Sequence, residues 1–153
     1  GLSFRKLGLG GEASRPDWPT RWASLRAVLP PGPSWVAVIY ADWLQAQAPE
    51  PSRILDEAIR AGCSGLLIDT FDKTGGNPLD VTPFWRSLST RTRSSGLFLA
   101  LAGRLDRDAM ARLAPLEPTL FAVRGAACRD GDRLGPIDPE RVARLVEHAH
   151  SLA

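Results

Sequence analysis

Only two of the 19 basic residues are lysines, Lys6 and Lys73; the rest are arginines. GC-rich coding produces such a bias, replacing lysine by arginine wherever the two are interchangeable. They are not interchangeable where an amine must give up its proton, because arginine stays charged. The two lysines are therefore the first residues to place. Cysteine is equally scarce. Cys63 and Cys128 have no CxxC spacing and no histidine at ligand distance, which argues against a zinc site or a disulfide framework. No apolar run approaches the roughly 18 residues of a membrane helix, and no signal peptide is legible at the start. The expectation is a cytoplasmic protein with no membrane partner. The net charge of +2 is spread along the chain, without the basic patch that nucleic-acid binding needs. Methionine occurs once, at Met110, and the chain opens on Gly1, as a fragment or processed chain would.

What is present is ordinary globular material. At 153 residues, with 44% hydrophobic and 24% charged, the chain is expected to form a single domain over residues 1–153. Short apolar runs alternate with amphipathic segments. Strands are predicted at Leu2–Leu9, Trp35–Tyr40, Gly65–Asp69, Leu97–Ala102 and Leu120–Val123, each apolar on both faces as buried parallel strands are. Helices are predicted at Pro19–Leu29, Ser52–Ala61, Thr82–Ser94, Asp106–Leu113 and Asp138–Leu152. The last carries Asp138 as N-cap, Pro139 at the first position, and Val142, Leu145, Val146 and Ala149 on one face. Strands alternating with helices of this size mean parallel βαβ units in an α/β fold. Five units fit either an open sheet or part of a (βα)8 TIM barrel.

In parallel α/β folds the site lies at the carboxyl ends of the strands. The first predicted strand runs into Lys6-Leu7-Gly8, the second into Tyr40-Ala41-Asp42, and the third into Asp69-Thr70-Phe71-Asp72-Lys73. The fourth reaches Gly103-Arg104 and the fifth Arg124-Gly125. Both lysines thus fall at one end of the sheet. A lysine set among other cations loses its proton more readily and can serve as base or imine-forming nucleophile. Asp42 and Asp69 are candidates to orient such amines or move protons, though Asp42 reads equally well as a cap. Gly103, Arg104, Arg124 and Gly125 are candidates to bind phosphate, since barrels hold phosphate after strands seven and eight. On that reading the five units are strands 4–8, and three units of roughly 75–90 residues precede them.

Other residues read as structural. Cys128 is a small packing residue without a histidine partner, His148 and His150 are surface residues of the last helix, and Trp18, Trp22 and Trp85 belong to a core or interface. The Gly8–Gly11 run is not followed directly by a helix and is a weak nucleotide signal.

With these pieces in place, the chain resembles the (5-formylfuran-3-yl)methyl phosphate synthase family of methanofuran biosynthesis. The matching pieces are Lys6-Leu7-Gly8, Tyr40-Ala41-Asp42, Asp69-Thr70 with Lys73 following, Leu101-Ala102-Gly103, and the long run from Val123 to Asp138 (VRGAAC…GDRLGPID). The last is the most specific. The resemblance implies a TIM barrel that condenses two glyceraldehyde 3-phosphate molecules into 4-(hydroxymethyl)-2-furancarboxaldehyde phosphate by lysine chemistry, a lyase reaction. Lys6 and Lys73 match two of the family's catalytic lysines and Asp69 its catalytic aspartate, with no metal and no cofactor. The family's imine-forming lysine lies on an early strand that this sequence lacks. The missing N-terminal barrel segment, or a second polypeptide supplying it, is the implied partner, and self-association is compatible with the same reading. The alternatives are another lysine-dependent triose-phosphate aldolase or lyase, or a non-catalytic half-barrel that assembles with a complete partner.

Overall fold

The computed structural model describes residues 3–75 and 77–152. Five strands are found, β1 (Phe4–Leu7), β2 (Ser34–Tyr40), β3 (Gly65–Asp69), β4 (Phe98–Leu101) and β5 (Leu120–Phe121), with five helices between and after them. The helices are α1 (Trp18–Val28), α2 (Pro51–Arg60), α3 (Pro83–Ser94), α4 (Arg107–Leu113) and α5 (Pro139–Ser151). Every predicted element is present, most with ends trimmed by one or two residues. Half of the first predicted strand survives, Leu2 lying outside the described residues; β5 likewise keeps only its first half.

The caps explain where the helices start. Thr82, Asp106 and Asp138 accept hydrogen bonds from the backbone N–H groups of Trp85, Ala109 and, for Asp138, both Glu140 and Arg141. The start of α2 differs from the sequence reading. Glu50, not Ser52, is its cap, accepting from the Ser52 amide at 3.4 Å, and Pro51 takes the first helical position.

All five strands are parallel and lie in the order β1-β2-β3-β4-β5. A sheet that never reverses its strand order, joined by right-handed crossovers, carries all its helices on one face. Side-chain alternation agrees. Ala37, Ile39, Leu66, Ile68, Leu99 and Leu101 point into the large core shared with the helices, where Ile54, Leu55 and Leu113 are fully buried. Val36, Val38, Leu67, Ala100 and Ala102 form a second, smaller cluster on the opposite face. A one-sided α/β sheet of this order is compatible with part of a TIM-barrel-like fold and not with a doubly wound one. Trp18, Trp22 and Trp85 are core residues, and Cys128 is fully buried, as expected. Truncating Leu66 to Ala in the centre of this core costs about 3 kcal/mol.

The last unit is less completely packed. The apolar face expected on α5 is present in sequence, yet Leu145 is its one buried residue, while Val142 and Val146 are exposed. Among the described residues, no helix is long and apolar enough to cross a membrane.

Candidate active site

Because the strands are parallel, their carboxyl ends share one edge, and the loops that follow them enclose a cleft of about 1110 Å³. Lys6, Asp69, Lys73, Gly103, Arg104, Arg124 and Gly125 all line it. Seven of the eight residues singled out in the sequence are thus brought together. Asp42 does not line the cleft and stands behind the loop that carries Lys73. A smaller hollow of about 200 Å³, lined by residues such as Gly11, Trp43 and Gln47, holds no titratable side chain.

Lys73 is the most tightly held of these residues. Its ammonium donates to Asp69 Oδ1 at 2.8 Å, to Thr70 Oγ1 at 3.3 Å and to the Thr70 carbonyl. Asp69 in turn accepts from the Thr70 amide at 2.8 Å through the same oxygen. Thr70 is fully buried, so two of the three acceptors around the ammonium are fixed by the core. Thr70 appeared in the sequence only as part of the Asp69-Thr70 pair; its role as a second acceptor depends on the loop turning back on itself, which spacing alone does not reveal. Lys73 and Asp69 are partly open to the cleft, with side-chain exposures of 37% and 20%.

The loop itself is pinned from both neighbouring strands. From the β2 side, Asp42 accepts from the Phe71 and Asp72 amides at 2.7 and 2.8 Å, and Gln45 donates to Asp72 at 3.2 Å. From the β4 side, Arg104 donates to the Lys73 carbonyl. Within the loop, Asp72 accepts from both the hydroxyl and the amide of Thr74. These bonds, the Thr74 hydroxyl first, hold the Asp72 carboxyl below its usual range.

Lys6 stands apart from this arrangement. It is exposed on edge strand β1, on the same face as Phe4, which packs edge-to-face on Phe98 at 5.0 Å. It has no hydrogen-bond or ion-pair partner among the described residues. Tyr40, the single tyrosine, ends β2 on that face opposite Asp69 in register. Burial, followed by the charges of Asp69 and Asp42, raises its phenol above the ordinary value. Its hydroxyl occupies the space a side chain at position 8 would fill, which accounts for glycine after Lys6-Leu7.

The cleft is strongly basic. Besides the two lysines it presents Arg104, Arg107, Arg124, Arg133, Arg141 and Arg144, eight cations against the four carboxylates Asp69, Asp106, Asp108 and Asp132. Asp106 caps α4 and Asp132 accepts from the Leu134 amide, and the lining as a whole keeps an excess of positive charge. Such a field suits an anionic substrate. Arg124 is braced by its bond to the Arg133 carbonyl at 3.1 Å. Among the described residues, no group of three or more metal-ligating side chains occurs.

A profile of the 4-HFC-P synthase family matches residues 1–146. Relatives named (5-formylfuran-3-yl)methyl phosphate synthase include one from Methanococcus aeolicus, 36% identical over 115 residues, covering 73% of this chain and 49% of the relative. The Methanocaldococcus jannaschii relative aligns with the same identity and coverage. That of Methanopyrus kandleri is 32% identical over 157 residues, covering 96% of this chain and 65% of the relative. The chain therefore spans about half the length of the first two curated relatives and less than two-thirds of the third.

Proposed function

The chain belongs to the 4-HFC-P synthase family, and on that premise we propose that it supplies strands 4–8 of a (βα)8 barrel that makes 4-(hydroxymethyl)-2-furancarboxaldehyde phosphate from two glyceraldehyde 3-phosphate molecules. One phosphate and water leave as the furan forms. The observation that carries this reading is the Lys73–Asp69 pair set in a cleft with excess positive charge. Two phosphorylated aldehydes bring several negative charges to one place, and the arginines around the opening offset them. Arg104, Arg124, Gly103 and Gly125 all line that cleft, which supports their proposed role in holding a phosphate.

The surroundings of the two lysines support the proposed division of roles. All three donors of the Lys73 ammonium are turned toward acceptors, so Lys73 suits proton delivery and return rather than attack on a carbonyl. Asp69, its partner, takes and gives the proton. Lys6, on β1 and separated from β3 by β2, is proposed to reach the substrate from the other side of β2. The imine-forming lysine is assigned to an early strand outside this sequence, and the enzyme is proposed to be a cytoplasmic lyase that needs no metal or organic cofactor.

The open sheet edge and apolar groove support the proposal that further βα units complete the barrel. Five strands do not close a barrel. Beside β5 runs an apolar groove of about 520 Å³, bordered by Met110, Leu120, Phe121, Val142 and Val146. An exposed apolar edge of this kind calls for cover.

Borohydride reduction with glyceraldehyde 3-phosphate tests the reading, using the chain combined with a polypeptide carrying the first three βα units. Peptide mapping is expected to find the reduced adduct on the added segment, together with an absorbing furan aldehyde product. A stable assembly that yields neither adduct nor furan would refute the synthase; an adduct on Lys6 would reassign the imine. An aldehyde product lacking the furan chromophore would favour another triose-phosphate aldolase.

A further inference from the structure

We propose that Asp42 is a positioning residue that sets the placement of Lys73 by clamping the loop between Asp69 and Lys73. The argument begins with what the Asp42 carboxylate touches. Oδ1 accepts from the Phe71 amide at 2.7 Å and Oδ2 from the Asp72 amide at 2.8 Å. Both partners are backbone groups of the segment separating Asp69 from Lys73. Both oxygens of the carboxylate are thus engaged by backbone amides, and Asp42 does not line the cleft.

The clamp matters because the Lys73 position is not set by regular structure. Residues 70–75 are neither strand nor helix. An unpinned loop of this length would leave a lysine side chain to sample many rotamers, at a cost in entropy each time it met Asp69. Two charge-assisted bonds to consecutive amides fix the turn's direction, and Gln45 adds a third tie from the same β2 loop. Asp42 lies two residues past the end of β2, whose register places Tyr40 opposite Asp69, so the clamp anchors the loop beside the neighbouring strand. The importance of the clamp for turnover rests on the synthase reading. The positioning itself does not.

The scarcity of lysine makes the test clean. In the chain labelled with isotopic lysine, two side-chain signals are expected in the NMR spectrum, one for each lysine. In the unmodified chain the Phe71 and Asp72 amides should be protected from hydrogen exchange and should shift as the Asp42 carboxyl is protonated. Rapid exchange at both amides would overturn the proposal without any variant. In Asp42→Ala and Asp42→Asn, the Lys73 signal should move to that of a mobile lysine. Its rate of acylation by an amine reagent should rise about tenfold, the size expected for loss of a charge-assisted hydrogen bond. The Lys6 signal should stay in place. Asn keeps one acceptor oxygen and turns an N–H toward the other amide, so it should rescue only in part. An unchanged Lys73 signal in Asp42→Ala would overturn the clamp, and equal movement of both lysines would show a general loss of structure instead of positioning. None of these readings requires the furan reaction, so failure of the synthase proposal leaves them intact.

Discussion

The surroundings of Lys73 and Lys6 differ more than any other two parts of the strand-end edge. Lys73 follows β3, a central strand, and its loop is tied to β2 by Asp42 and to β4 by Arg104. Lys6 lies on β1, which among the described residues pairs only with β2, and is exposed. The glycines beside them repeat the contrast. Gly103 sits against the backbone and side chain of Thr70, the residue that holds Lys73, while Gly8 faces only the hydroxyl end of Tyr40. The loop after β3 is braced from both of its neighbouring strands, and no comparable tie reaches Lys6 from the described residues. Within this chain one amine is held and the other is open in a single cleft, in keeping with the proposed proton transfer at the first and reach toward substrate at the second.

The strongest test of this contrast is at Lys73. In the complemented assembly, Lys73→Ala should lower the turnover number about a hundredfold or more with little change in KM, the usual loss for a removed proton-transfer group. Lys73→Arg should not restore it, because the guanidinium stays protonated and is too large for the Asp69–Thr70 cradle. Full turnover in either variant would break the comparison.

Next in size are the two glycines. Gly103 has φ +93°, and a Cβ there would lie 2.6 Å from Thr70 Cγ2 and 2.9 Å from Thr70 N. Backbone cannot move aside cheaply, so Gly103→Ala should destabilise the chain by about 2–3 kcal/mol in denaturant unfolding. Gly8→Ala meets only the flexible end of a tyrosine and should cost about 1 kcal/mol or less. Equal costs would mean that the Lys6 side is as rigid as the Lys73 side.

The sequence made the fold legible down to three of the helix caps, while the cap of α2 falls on Glu50 and α1 has no side-chain cap. Thr82, Asp106 and Asp138 stand where capping chemistry requires them, and even the Ser/Thr/Arg-rich α3 forms where Thr82 and Gly96 bracket it. The collection of site residues was legible for a topological reason, since parallel strands bring their carboxyl ends together whatever the side chains are. Their partnerships were not. Lys73 with Asp69 is a contact within one loop, but Asp42 with the Phe71 and Asp72 amides joins residues 29 and 30 positions apart through backbone donors, which leave no trace in residue identity. The α5 face shows the opposite failure. Its helical periodicity is correct, yet Val142 and Val146 remain exposed, because periodicity states which side is apolar and not whether anything covers it.

The smallest expected effect concerns Tyr40, which lies between the two lysine environments. As the single tyrosine it gives an isolated phenolate absorbance change on alkaline titration. Burial disfavours the phenolate most, and the neighbouring charges of Asp69 and Asp42 add to this, so the folded chain should titrate above the ordinary value of about 10. For an acid whose folded value is raised, the stabilisation is complete below the unfolded value and is lost as pH rises through the folded one. Stability should therefore begin to fall above about pH 10. Asp69→Asn removes one of the two charges and should bring the midpoint part of the way back, leaving the larger effect of burial in place. A return all the way to the ordinary value would mean that Asp69 also keeps Tyr40 packed. The rigidity assigned to the Lys73 side would then extend across β2 toward Lys6, and the two lysines would share one braced site.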